Sequence, residues 1–207
     1  MRDLVRSVTE LQRLIYDYDF ETYSHCQKVA QLGFIIGGIL RLTDEQTTLI
    51  YQASLIHDLG KIVIPKHVLN KPDTLTPEEW RIMQEHPVKG AELIKEYGGK
   101  KVSPILDMIR FHHERVDGGG YPLGLKGNDI PPEARIIALA DAMDAMLTYR
   151  PYRVHIKSIK EVFREIRANA GLQFDQYFVS RILQWFNYAP NQLINKRGVG
   201  ERVHSVS

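Results

Sequence analysis

The sequence predicts an all-α fold. Capping-box patterns at Thr43 to Gln46, Thr76 to Glu79 and Ser158 to Glu161 mark helix starts. Apolar residues recur at helical rather than alternating spacing, and strand signals are nearly absent. At 207 residues, with no Pro/Ser-rich linker, one domain with a tail is expected: a helical segment over 1–19, the main domain over 20–189 and a tail over 190–207. The formal net charge of +2 does not suggest an extended nucleic-acid surface. A single cysteine, Cys26, excludes an internal disulfide and cysteine-rich zinc sites. No apolar run reaches the roughly 20 residues of a membrane span, and the N-terminus has no signal-peptide core, so a cytoplasmic location is expected.

Leu4, Val8, Leu11, Leu14 and Ile15 give an amphipathic entry helix from about Asp3 to Tyr18, able to pack on the domain or on a second subunit. A longer helix is predicted from about Phe20 to Leu42, with Gly33, Gly37 and Gly38 permitting close packing. Glu21 and His25 project from one face of it, one turn apart. The helix opened by Thr43 should end near His57-Asp58, with Gly60 as a stop, and the following residues through Leu75 read as a loop. The Thr76 helix stops at His86-Pro87, where another helix begins and runs to Gly98-Gly99. Ser103-Pro104 starts the helix that leads into FHHERVDGGGYP, residues 111–122. The glycines and prolines that follow exclude a continuing helix until Pro132, which opens one through about Leu147 with Asp141 and Asp144 three apart on one face. Ser158 caps a helix ending at Gly171, and Asp175 caps the last one.

Ionisable groups on otherwise apolar helices or at helix ends need partners, because burying unpaired charge is costly. Glu21, His25, His57, Asp58, His86, His112, His113 and Asp141 are the candidate ligands: five histidines and three carboxylates. No single ion of four to six positions uses them all, so at least two ions bridged by an acid are implied. The mixed nitrogen and oxygen set suits iron or manganese, and less specifically zinc, nickel or cobalt. Such a pair suits hydrolysis of a phosphate ester. Lys61 is placed to complete the phosphate clamp, and Arg150 and Arg153 in YRPYR to hold a second phosphate, although for the arginines taken alone a solvated helix end is slightly favoured.

His25, HDLGK (57–61), NKPDTLTPEEW, His86-Pro87 with Gly90, HHERVDGGGYP, LKGNDIP, ARIIALADAMDA and RPYR together resemble the HD-GYP family of the HD phosphohydrolase superfamily, from about Glu21 to Phe178. The resemblance implies a helical bundle that hydrolyses cyclic di-GMP to pGpG or GMP. By position it makes Glu21, His25, His57, Asp58, His86, His112, His113 and Asp141 metal ligands, with Asp58 bridging. Family members hold two metals or three, and Glu21 matches the extra carboxylate of the three-metal kind. Lys61, Arg150 and Arg153 are similar to phosphate-contacting residues. Asp144 and Tyr121 are assigned to the substrate side, and the Gly120-Tyr121-Pro122 loop is expected to meet signalling partners such as a diguanylate cyclase.

Gln176 stands where the family commonly has proline, a change expected to touch only a helix start. No receiver or PAS-like segment precedes the module, so control through a partner or through expression is expected; a homodimer is left open. The competing expectations are hydrolysis of another cyclic dinucleotide such as 3′,3′-cGAMP, a catalytically idle adaptor, and an oxygenase. Retention of all the ligands and Lys61 argues against the adaptor, and the GYP loop with Arg150 and Arg153 argues against the oxygenase.

Overall fold

Helix α1 (Arg2–Tyr18) lays an apolar stripe of Leu4, Val8, Leu11 and Ile15 onto the rest of the protein, each residue almost fully buried. The expectation of an entry helix holds, and its partner is the domain itself: α1 packs on α2 (Phe20–Ile39) and on α6 (His86–Gly98). This computed structural model describes residues 2–148 and 157–188. Among them lie α3 (Asp44–Ser54), α4 (Lys66–Leu69), α5 (Pro77–Gln84), α7 (Leu106–Arg110), α8 (Pro132–Leu147), α9 (Ile159–Ala168) and α10 (Gln176–Tyr188), and no strand. Arg150, Arg153, His155 and the tail beyond Tyr188 lie outside the described residues.

The three capping boxes form as read, each with the side chain of Thr43, Thr76 or Ser158 accepting from the N3 backbone while the N3 side chain returns the bond. Asp175 likewise accepts from the Tyr177 and Phe178 N–H groups, so the glutamine at 176 leaves that helix start intact. The centre of the fold is α2, packed between α3 and α8. Gly33 and Gly37 make the α2–α3 contact possible: a Cβ on either would come within 3.1 Å of Ile50 or 3.0 Å of Thr47.

Several boundaries differ from the sequence reading: Ser103-Pro104 lie in a 3-10 helix, Gly99–Ile105, and α7 begins only at Leu106, while α9 ends at Ala168 rather than Gly171. Helix α2 ends at Ile39 rather than Leu42, with Leu40 as its cap and Arg41 at φ 59° turning the chain. Helix α3 ends at Ser54, before His57-Asp58, because the backbone tightens to i−3 bonds from Ile56 to Ala53 and Leu59 to Ile56. The segment expected as loop holds a 3-10 helix, Leu59–Val63, and α4. Gly60 does not stop a helix. Its backbone lies so close to the start of α6 that a Cβ would sit 1.9 Å from the His86 carbonyl oxygen. No helix of the described residues is long and apolar enough to cross a membrane.

Candidate metal centre

Three helix ends deliver three imidazoles by one local device. His57 Nδ1 donates to Ser54 O at 2.7 Å, His86 Nδ1 to Met83 O at 2.7 Å and His112 Nδ1 to Ile109 O at 2.6 Å, each reaching back three residues. The carbonyls at the ends of α3, α5 and α7 fall where the regular helical bonding runs out, and each accepts a ring N–H. A carbonyl only accepts, so each Nδ1 carries hydrogen and each Nε2 of the neutral ring presents a lone pair.

Those lone pairs converge. His86 Nε2 lies 3.4 Å from His112 Nε2 and 3.2 Å from His113 Nε2. Two unprotonated nitrogens facing each other repel unless a cation lies between them. Asp58, His86, His112 and His113 form one group that could hold an ion, and His25, His57 and Asp58 form another. Asp58 is common to both. Its Oδ1 comes 3.2 Å from His86 Nε2 without hydrogen-bond geometry; that oxygen and His57 Nε2 are buried with no hydrogen-bond partner among the described residues. Orphaned buried polar atoms are costly, and these two aim into the cluster, so the residues fit divalent metal.

The electrostatics agree. Burial lowers the pKa of His57, and it lowers those of His112 and His113 with help from neighbouring imidazoles, His113 to about 3. They are neutral and ready to coordinate. Burial alone would raise the pKa of Asp58, but the Lys61 ammonium, then His57 and His86, hold it well below the usual carboxylate range. Lys61 Nζ donates to Asp58 Oδ2 at 2.6 Å. His25 is different: burial would lower its pKa, yet bonds to Asp141 and Asp144 and the charges of Asp141 and Asp58 raise it to about 9. Its Nε2 meets Asp141 at 3.0 Å and its Nδ1 meets Asp144 at 2.7 Å. Without an ion, a ring with a carboxylate on each nitrogen holds both protons; an ion at Nε2 would displace the inner proton, while Asp144 keeps the one on Nδ1.

Asp144, assigned from the sequence to the substrate side, is 3% exposed and turned to His25, with Thr148 donating to its other oxygen at 3.0 Å. It holds the His25 ring in place. Glu21 stands one turn before His25 on α2 but is exposed and belongs to neither group. Tyr121 stacks on His113, with ring centroids 4.8 Å apart and planes at 26°, and meets the edge of Trp80 at 6.2 Å. Beside it an open groove of about 400 Å³ takes in Arg81, Gln84, Lys89 and Pro122.

Residues 10–177 match the family model described as HD domain. The chain belongs to the HD-domain family. Within it, the HD pair is His57-Asp58 and the GYP loop is Gly120-Tyr121-Pro122, which bears out the HD-GYP resemblance. This HD domain is 37% identical over 187 residues to a cyclic di-GMP phosphodiesterase of Thermotoga maritima, covering 88% of this chain and 50% of the relative. It is 34% identical over 164 residues to 3'3'-cGAMP-specific phosphodiesterase 2 of Vibrio cholerae, covering 79% and 31%. The chain thus spans half or less of the length of these curated relatives. Among solved structures, the HD domain of Listeria monocytogenes PgpH in complex with cyclic-di-AMP superposes with a TM-score of 0.63 at 20% identity, covering 95% of this chain and 100% of that one. The HDGYP protein Bd1817 of Bdellovibrio bacteriovorus gives 0.63 at 23%, covering 80% and 52%; at these identities the likeness speaks for the fold.

One residue of the HD domain's site escaped the sequence reading. Glu114, next to the histidine pair, is 2% exposed and accepts from the backbone N–H groups of Leu123, Gly124 and Leu125 at 2.7, 3.1 and 3.0 Å. Its partners are main-chain groups nine to eleven residues on, which leave no side-chain signature.

Proposed function

We propose that this HD domain is a metal-dependent phosphodiesterase that hydrolyses cyclic di-GMP to pGpG, GMP or both. The observation that carries the reading is the pair of ligand groups sharing Asp58 beneath the GYP loop. Similarity to phosphodiesterases of cyclic dinucleotides supports the substrate class. Asp58 would hold both ions, His25 and His57 joining it on one side and His86, His112 and His113 on the other, with Asp141 at His25. Divalent ions there, iron or manganese, supply a nucleophilic water at neutral pH and offset charge on the phosphoryl oxygens.

The protein's own groups do the rest. The i−3 carbonyls and Asp144 fix which ring nitrogen faces inward, so the ligands are organised before substrate arrives. Lys61, with its side chain 18% exposed beside Asp58, sets a positive charge against the substrate phosphate. Tyr121 offers an aromatic face at the rim, where a guanine base stacks. Arg150 and Arg153 take the second phosphate in this reading.

Anaerobically purified protein is expected to carry two or three ions per chain and to release pGpG or GMP from cyclic di-GMP in a metal-dependent reaction, read by chromatography. Metal-loaded protein that yields no product would overturn the assignment. Hydrolysis of 3′,3′-cGAMP is the second reading, supported by the Vibrio cholerae relative, and a kcat/KM comparison of the two substrates decides between them. A third ion with Glu21 among its ligands is tested by Glu21→Ala. The expected result is one ion fewer per chain by elemental analysis; unchanged content would leave Glu21 a helix-face acid.

A further inference from the structure

We infer that Glu114 is a positioning residue: its carboxylate staples the GYP loop to the histidine turn and so sets Tyr121 against His113 at the substrate rim. The inference rests on the phosphodiesterase reading for its kinetic consequence, but its structural content stands apart from it. The loop is wrapped onto the ligand turn at successive points. Tyr121 N–H donates to His113 O at 3.2 Å, and the next three non-proline N–H groups, those of Leu123, Gly124 and Leu125, all end on the Glu114 carboxylate. Gly120 marks how tight the wrap is: a Cβ there would come within 2.4 Å of Arg115 N and 2.6 Å of His113 O.

An ionised carboxylate is suited to this task. It offers two oxygens, and both are used, Oε1 by Leu123 and Gly124 and Oε2 by Leu125. Charge-assisted bonds of this kind are roughly twice as strong as neutral ones. An amide has one accepting oxygen, so Glu114→Gln turns an NH₂ group toward at least one backbone N–H, a donor against a donor. The loop then loses its anchor on one side. Glu114 touches no ring of the cluster in any hydrogen bond described, so its effect passes through Tyr121, Pro122 and the groove they border with Arg81 and Lys89.

The test uses the metal-loaded chain with Glu114→Gln and the charge-keeping Glu114→Asp. In wild type, hydrogen exchange at the amides of residues 123–125 is expected to be slow. In Glu114→Gln it should quicken at least tenfold while the α2 and α8 amides and the metal content stay as they are. Glu114→Asp should restore part of the protection. KM for cyclic di-GMP should rise roughly tenfold with kcat within a few-fold, since loop displacement weakens substrate placement more than the metal chemistry. Combined with Tyr121→Ala, the loss in kcat/KM should fall short of the sum of the single losses, because both changes act through one ring. Unchanged loop exchange in Glu114→Gln overturns the inference, as does a loss of bound metal with KM unaltered, which would make Glu114 a support of the ligands instead. Should wild type cut no cyclic di-GMP, the proposed function falls and the exchange measurement still decides the role of Glu114.

Discussion

Asp58→Ala is expected to abolish turnover, by at least about a thousandfold, in a protein that keeps its helical circular-dichroism spectrum. Asp58 is the one acid common to both ligand groups, and its removal takes a ligand from each. The remaining imidazoles of His57, His86, His112 and His113 would then coordinate without the charge that a divalent ion requires nearby, and two linked sites become two weaker ones. Elemental analysis should show metal lost from the variant at stoichiometric loading, and wild-type-like hydrolysis would remove Asp58 from its bridging role. Stability changes in the same direction. Asp58 is 1% exposed and bonded to Lys61, and removing one partner of a buried pair costs about 3–5 kcal/mol. Lys61 is partly open to water and can be rehydrated, which puts the loss at the low end of that range. A thermal melt of metal-stripped protein isolates this loss from the loss of ligand-linked stability.

What the sequence reveals and what it conceals divide along a physical line. Helix starts are local: a threonine or serine, its N3 partner and the backbone between them lie within four residues, so Thr43, Thr76 and Ser158 are readable without the fold. The candidate ligands are readable too, because an ionisable side chain among apolar ones has to be satisfied. Six of the eight candidates meet in two groups, and Asp141 joins them through His25. Whether an acid faces inward or outward depends on rotation about a helix, which periodicity gives only to within a residue. Asp141 and Asp144 both turn to His25, whereas Glu21, on the same helix as His25, is exposed.

The misreadings concern groups whose partners are distant or have no side chain. The end of α3 is set by the tightening of the backbone and by the His57 ring taking Ser54 O; composition near Ser54 carries no stop signal. Glu114 bonds to main-chain donors in a loop with no periodicity. Gly60 looks like a helix terminator because glycine often is one, yet its constraint comes from His86, twenty-six residues away in sequence and in contact in space.

Gly60→Ala tests that constraint and should be nearly as damaging as loss of a ligand. The new methyl would stand 1.9 Å from His86 O, 2.6 Å from Gly90 N and 2.8 Å from His86 C, and all of these are backbone atoms that no rotamer change can clear. Ordinary contact begins near 3.4 Å, so the start of α6 must retreat from the Leu59–Val63 turn by more than about 1 Å, or the turn must open. Either movement separates His86, which is itself at the contact, from Asp58, which lies two residues before Gly60. Misplacement of about 1 Å in a catalytic constellation costs on the order of a hundredfold, and overpacking of this kind costs about 1–3 kcal/mol or more in stability. The expected result is a lowered melting temperature, reduced metal occupancy and a kcat about a hundredfold down. Gly38→Ala is the control: a Cβ there meets nothing within 4 Å, and the helix gains rather than loses by the exchange. If Gly60→Ala retained wild-type metal content and kcat, the close approach of Gly60 to His86 would not be what holds that histidine in the centre.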